Sequence, residues 1–329
     1  MCQLLQGNSY FRKMNKIPSL NLQDFVSGNS AQLHQFTVDL GRAFEEIGFV
    51  AISGHYLNEA LIDELYTQIK AFFDLPEDIK NKYEIKGLAG QRGYTSFGKE
   101  HAKGKKEADL KEFWHFGQYA EVPEILKSHY SPNIMVEELP AFNEVGEKAF
   151  KALEETAMAL LRAISLHLGL EQHYFDGFVA TGNSILRPIH YPPIQQAPKN
   201  AERAAAHGDI NLITLLMGAY GRGLQVLNRK GDWIDAIAGE NELMVNVGDM
   251  LSRHTNNVLK STIHRVVNPP KEMWGTSRYS IPFFMHPIAT MPLDVLPHCI
   301  NEQQPKQYDD ISAGDFLTER LIDLGLLKA

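Results

Sequence analysis

Ile213-Thr214-Leu215-Leu216-Met217, Leu224-Gln225-Val226-Leu227, Trp233-Ile234-Asp235-Ala236-Ile237 and Leu243-Met244-Val245-Asn246-Val247 follow one another at close intervals. Each is too short for a helix and rich in apolar residues. Turn formers separate them, among them Gly221-Arg222-Gly223, Lys230-Gly231-Asp232 and Gly239-Glu240-Asn241. Ile185 to Tyr191, Ile263 to Val267 and Tyr279 to Met285 extend the series on both sides. This rhythm, which sets in after residue 180, predicts an antiparallel sandwich or jelly roll.

Upstream the pattern is mixed. Ile17-Pro18-Ser19-Leu20-Asn21-Leu22 reads as a short strand with its proline at a sheet edge, and Asn29 or Ser30 offers a helix cap. Leu33, Phe36, Leu40, Ala43, Phe44 and Ile47 then recur at helical spacing as far as Gly48. Phe49 to Ile52 reads as a buried strand and Leu61 to Phe73 as a second amphipathic helix. Residues 87–109, rich in Gly, Lys and polar groups, read as a mobile loop bordering a pocket. Phe142 to Leu168 is a long helical pattern stopped by Gly169. The expected fold is α+β with a mainly β core, an N-terminal α/β region and flanking helices. Its expected division is a flexible extension (1–16), an N-terminal region (17–125), a bracing helical segment (126–180), the jelly-roll core (181–290) and a C-terminal segment with a helix (291–329).

With 44% hydrophobic and 22% charged residues, the 329-residue chain can bury a substantial core. Forty acidic against 32 basic residues give a formal charge of −8, which disfavours nucleic acid and anionic membrane surfaces and favours a small-molecule partner. The basic run Lys103, Lys105, Lys106 reads as a solvated loop. Cys2 and Cys299 are the only cysteines, which excludes a disulfide framework and a four-cysteine zinc site and fits a reducing cytoplasm. No stretch approaches the ~18 apolar residues of a membrane span. A monomer or weak homo-oligomer is expected.

His207-Gly208-Asp209 opens one of the strand regions, and in extended chain residues two apart project to one face. Taken alone the pair is a surface turn as readily as a ligand pair. His264, in Ser261-Thr262-Ile263-His264-Arg265-Val266, is likewise a core histidine or a third ligand. Together, two imidazoles and one carboxylate leave about three octahedral positions open, the donor set of non-haem Fe(II) oxygenases. Arg278 and Ser280 share a strand face, and a planar guanidinium beside a hydroxyl suits a carboxylate, although an arginine there also serves as a surface ion pair.

At these residues the chain resembles the iron(II)/2-oxoglutarate-dependent oxygenases, in the branch that includes isopenicillin N synthase. Ile17-Pro18, Gly48-Phe49, Gly54-His55, Phe72 to Pro76 with Lys80, Arg92-Gly93-Tyr94 and Asp109 to Glu112 match its N-terminal region. His207-x-Asp209, Gly223 to Val226, Trp233, Val245 to Asp249, Thr255-Asn256, Lys260-Ser261, His264 to Val266 and Arg278-x-Ser280 follow in family order.

The resemblance implies a double-stranded β-helix (jelly-roll) core over residues 181–290 and Fe(2+) bound by His207, Asp209 and His264. It also implies 2-oxoglutarate held at its distal carboxylate by Arg278, Ser280 and Tyr191, with O2 as co-substrate. Oxidative decarboxylation of the keto acid is then coupled to hydroxylation, desaturation or cyclisation of a small organic substrate. Ile189 stands where plant members often carry Asn and where isopenicillin N synthases are apolar, so an iron oxidase without the keto acid is the alternative. A redox-inactive metal protein or zinc hydrolase is the third reading. Phe283 and Trp233 read as packing, His190 points away from the face of Tyr191, and Arg187 shares that face.

Overall fold

The computed structural model describes residues 16–87, 91–99, 109–194, 203–218 and 223–323. The expected extension before residue 16, the run Lys103, Lys105, Lys106, and Arg222 in its turn lie outside the described residues.

The N-terminal region runs β1 (Ser19–Asn21), α1 (Gln23–Val26), α2 (Ser30–Glu46), β2 (Phe49–Ser53), α3 (Glu59–Phe73), α4 (Glu77–Asn81), β3 (Gly93–Thr95) and β4 (Glu112–His115). Asn29 caps α2 through bonds from the Ala31 and Gln32 amides. Gly48 ends the segment at φ +74°, where a Cβ would stand 2.2 Å from the Lys260 carbonyl oxygen. The long helix α5 (Pro140–His167) and the short α6 (Asp176–Val179) lead into the core.

The core comprises β5 (Ile185–Leu186), β6 (Ile189–Tyr191), β7 (Ala204–His207), β8 (Ile213–Met217), β9 (Leu224–Leu227), β10 (Trp233–Asp235), β11 (Leu243–Val247), α7 (Asp249–His254), β12 (His264–Val266) and β13 (Arg278–Met285). Helix α8 (Ala313–Asp323) follows. Among the described residues the major sheet has the order β1-β2-β11-β8-β13-β6-β4-β3, with β5 also on β13, and the minor sheet the order β10-β9-β12-β7. All of these strand pairings are antiparallel except β1 with β2.

Pleating sorts the strand residues into two cores. Leu215, Val245 and Phe283 on one face of the major sheet join the helical layer of α2, α3 and α5. Phe49, Leu216 and Met244 on the other face meet Leu224, Val226 and Val266 of the minor sheet, which is the interior of the jelly roll. Just after β4, the Phe116 ring packs against Gly146 of α5, where a Cβ would lie 2.4 Å from it. Phe72, Phe142 and Trp114 complete this aromatic contact, with ring centroids 4.9–5.4 Å apart.

The expected loop over residues 87–109 is corrected in part. Gly93–Thr95 is a buried strand paired with β4, and three residues are too few to carry a readable period. The single expected segment Ile185 to Tyr191 is two strands, because at Arg187-Pro188 the chain passes from pairing with Phe283 and Phe284 to pairing with Arg278 to Ser280.

Candidate metal centre and co-substrate pocket

His207 ends β7 and His264 begins β12, and the two are direct cross-strand partners. Their ring centroids are 4.5 Å apart. Asp209 follows His207 by two residues, and one oxygen of its carboxylate lies 3.9 Å from His207 Nε2 and 3.8 Å from His264 Nε2. The three ligand-type atoms all fall within 4.8 Å of one another.

Each group is oriented from behind. His207 Nδ1 donates to the Ala205 carbonyl (2.7 Å) and His264 Nδ1 to the Thr262 carbonyl (3.1 Å), which turns both Nε2 lone pairs toward the shared point. Asp209 Oδ2 accepts from Thr214 Oγ1 (2.6 Å) and Asn246 Nδ2 (2.8 Å), leaving Oδ1 for the centre. Burial alone would raise the Asp209 carboxyl, but the two imidazoles and these hydrogen bonds hold it below the usual carboxylate range. His207 keeps one edge open to the cavity, yet enclosure by protein and then the adjacent His264 push its imidazole down to about 4. Two imidazoles with a carboxylate and no thiolate fit Fe(II) with positions left open.

Arg278 and Ser280 lie two apart on β13, opposite Tyr191 and Ile189 of β6. The Arg278 guanidinium carbon stands 5.3 Å from the Tyr191 ring centroid. Its Nη1 and Nη2 are buried with no hydrogen-bond partner among the described residues. Ser280 and Tyr191 are both buried. An unpartnered, buried two-donor fork beside a hydroxyl and a phenol fits a carboxylate, the group that 2-oxoglutarate carries at its far end.

A cavity of about 830 Å³ opens on His207 and Asp209, with Arg187, Phe284, His286 and Leu317 among its walls. Arg187 lies between Phe113 (4.7 Å) and Phe284 (5.1 Å) and donates to His115 Nε2. His286, pushed down to about 4 first by burial, has no hydrogen bond at its enclosed Nδ1 among the described residues. Phe283 is core, and Trp233 lies under the Arg265 guanidinium at 4.1 Å. His190 faces away from Tyr191, bonding Glu112 (2.7 Å) and Ser277 (2.9 Å).

Sequence reading missed Thr214 as a support for Asp209, although a polar residue at an inward-facing position of an apolar strand is a usable signal. It also missed Arg203, buried beside Tyr191, and the wall that α8 gives the cavity through Leu317, Arg320 and Leu321. No local pattern announces either.

A facial His-Asp-His donor set at the mouth of a jelly roll defines a non-haem iron oxygenase. Residues 182–287 match the family model of the 2OG-Fe(II) oxygenase superfamily, and residues 17–138 match that of the non-haem dioxygenase in morphine synthesis N-terminal region. A solved 2OG-Fe(II) oxygenase family protein from Caulobacter crescentus is 41% identical, covering 94% of this chain and 99% of that one, with a TM-score of 0.85. A full-length Neurospora crassa protein solved in complex with alpha-KG is 30% identical over 93% of this chain and 95% of its own, with a TM-score of 0.83. A 2-oxoglutarate-Fe(II) type oxidoreductase of Metarhizium rileyi is 30% identical over 94% of this chain and 88% of its own length.

The chain belongs to the 2OG-Fe(II) oxygenase superfamily. It is a 2-oxoglutarate-dependent dioxygenase that couples oxidative decarboxylation of the keto acid to oxidation of a small organic substrate, with Fe(2+), 2-oxoglutarate and O2 as cofactor and co-substrates. An oxidase without the keto acid is not favoured. Among the described residues no helix is long and apolar enough to cross a membrane.

Proposed function

We propose that His207, Asp209 and His264 hold the Fe(2+), and that Arg278, Ser280 and Tyr191 hold the distal carboxylate of 2-oxoglutarate. The observation that carries this is the convergence of three ligand atoms within 4.8 Å, each side chain tied from behind so that its free atom faces the others. Bound iron supplies the redox chemistry that joins O2 to the keto acid and the substrate.

The protein's own part is positional. Thr214 and Asn246 fix which Asp209 oxygen is offered, and the Ala205 and Thr262 carbonyls fix the histidine tautomers. Arg278 gives the keto acid one orientation, and α8 narrows the cavity from which water must be kept.

The cavity is the substrate site in this reading. Several of its cations are already engaged: Arg92 by the Gln91 carbonyl and Asn183, Lys111 by Asp109, and Lys99 by Glu84. Neutral His286 is a hydrogen-bonding group left on the wall. These features support a compact, polar, uncharged group on the substrate. Another structure of the Neurospora crassa protein (29% identical, TM-score 0.82) holds thymine, and an Arabidopsis thaliana relative, 31% identical over 74% of this chain and 69% of its own, is a homoarginine-6-hydroxylase. Both support a small organic substrate and leave hydroxylation, desaturation and cyclisation as outcomes.

We place the division of the chain at 17–125, 126–180, 181–290 and 291–329. A monomer or weak homo-oligomer is part of the same proposal. A cytoplasmic setting is supported by the presence of only two cysteines. Anaerobic addition of 2-oxoglutarate to the Fe(II)-loaded protein tests the core of the proposal: a weak visible charge-transfer band is expected. Its absence, with tetrahedral zinc preferred over iron, would leave the zinc-hydrolase reading instead.

A further inference from the structure

Arg203 stands just before β7 and is 4% exposed. Its guanidinium carbon lies 5.7 Å from the centroid of the Tyr191 ring, the same ring that Arg278 approaches at 5.3 Å. The Arg203 contacts are that ring and a long hydrogen bond from Nη2 to the Thr276 carbonyl (3.4 Å), and its buried Nε has no partner among the described residues. Among those residues neither arginine has a carboxylate within ion-pair distance. Two enclosed guanidiniums sharing one tyrosine, with no acid between them, are costly to bury and repel each other. The cost shows at Arg203, lowered first by burial and then by Arg278. An anion reaching this place relieves both penalties at once, and a carboxylate has lone pairs for two forks.

We propose that Arg203 is a second guanidinium for the distal carboxylate of 2-oxoglutarate, acting with Arg278 across the Tyr191 ring. The inference rests on the placement of the keto acid at Arg278 proposed above. It differs from a packing role, in which Arg203 only pins Tyr191, by its persistence without that ring: in a Tyr191→Ala background Arg203→Gln weakens 2-oxoglutarate further if the contact is direct, and no further loss there overturns the role.

The experiment is an anaerobic titration of the Fe(II)-loaded protein with 2-oxoglutarate and with 2-oxobutyrate, which has the same oxo-acid head and no distal carboxylate. Binding is read by calorimetry and by the visible band. Arg203→Gln is expected to weaken 2-oxoglutarate at least tenfold and leave 2-oxobutyrate unchanged, with Arg203→Lys recovering most of the loss. Arg203→Met, which keeps the apolar stem, carries the same test if the glutamine variant does not fold. Unchanged 2-oxoglutarate binding, or equal weakening of both acids, overturns the role. Arg278→Gln is titrated in parallel. If that variant binds 2-oxoglutarate as tightly as the parent, the placement of the keto acid fails, whatever Arg203 does.

Discussion

Thr214 and Asn246 stand directly opposite each other on β8 and β11, and both donate to the same oxygen of Asp209, at 2.6 and 2.8 Å. Their neighbours Leu215 and Val245 point the other way into the helical core, so the pleat that buries the apolar residues delivers these two polar ones to the centre. Removing either loosens the carboxylate without touching a ligand atom. Thr214→Val, which keeps the side-chain shape, is expected to weaken iron about 10-fold, within the 10–100-fold typical of groups that orient metal ligands. Competition with a calibrated chelator measures this. Parent-like iron affinity in both Thr214→Val and Asn246→Leu would mean that Asp209 is held by its backbone alone.

The ligands themselves should behave as a set. His207→Ala, Asp209→Ala and His264→Ala are each expected to abolish stoichiometric Fe(II) binding and turnover. Chelator treatment of the parent should remove activity that Fe(II) restores and Zn(II) does not. Retained turnover in any of the three variants would remove that residue from the centre.

The strands and helices were legible wherever a period had room to repeat. Leu33 to Ile47 shows the helical spacing over four turns, and Ile213 to Met217 shows a strand between turns. The three residues of β3 hold no period at all, and the break of β5 from β6 depends on which partners Arg187 and Pro188 leave. The centre was legible only as an order of motifs. His207 and His264 are far apart in sequence, and nothing local states that β12 lies in register beside β7; family resemblance supplied that. Arg203 and the α8 wall depend wholly on tertiary placement, for which composition and spacing hold no signal.

Arg278 carries the most direct test of the co-substrate site. Its Nη1 and Nη2 are buried without a partner among the described residues, so the bound keto acid supplies bonds that the free protein lacks. Arg278→Ala is expected to cost about 2 kcal/mol or more of 2-oxoglutarate binding, roughly 30-fold in Kd, while iron affinity stays at the parent value. Calorimetric titration of the metal-loaded variant reads both. Keto-acid binding unchanged from the parent would sink the assignment.

Glu112 closes the back of the same strands and ties the fold to pH. Its carboxylate, 5% exposed, accepts from Lys80 Nζ (2.8 Å), His190 Nδ1 (2.7 Å) and the Tyr94 hydroxyl, joining α4, β3, β4 and β6. Burial acts to raise its pKa, but the bonds from His190, Lys80 and Tyr94 outweigh it and leave the carboxyl below its ordinary value. A folded-state pKa below the unfolded one makes the native protein the weaker proton binder. The stabilisation is therefore complete above the unfolded value of about 4.3 and fades as pH falls through the lower folded value. Glu112→Gln leaves Lys80 buried without its counter-charge, a change expected to cost about 3–5 kcal/mol near neutrality. Urea unfolding of parent and variant from pH 7 down to pH 3 should show the gap between the two curves narrowing below about pH 4. Curves that stay parallel across that range would show that the Glu112 charge contributes nothing and that the loss comes from packing alone.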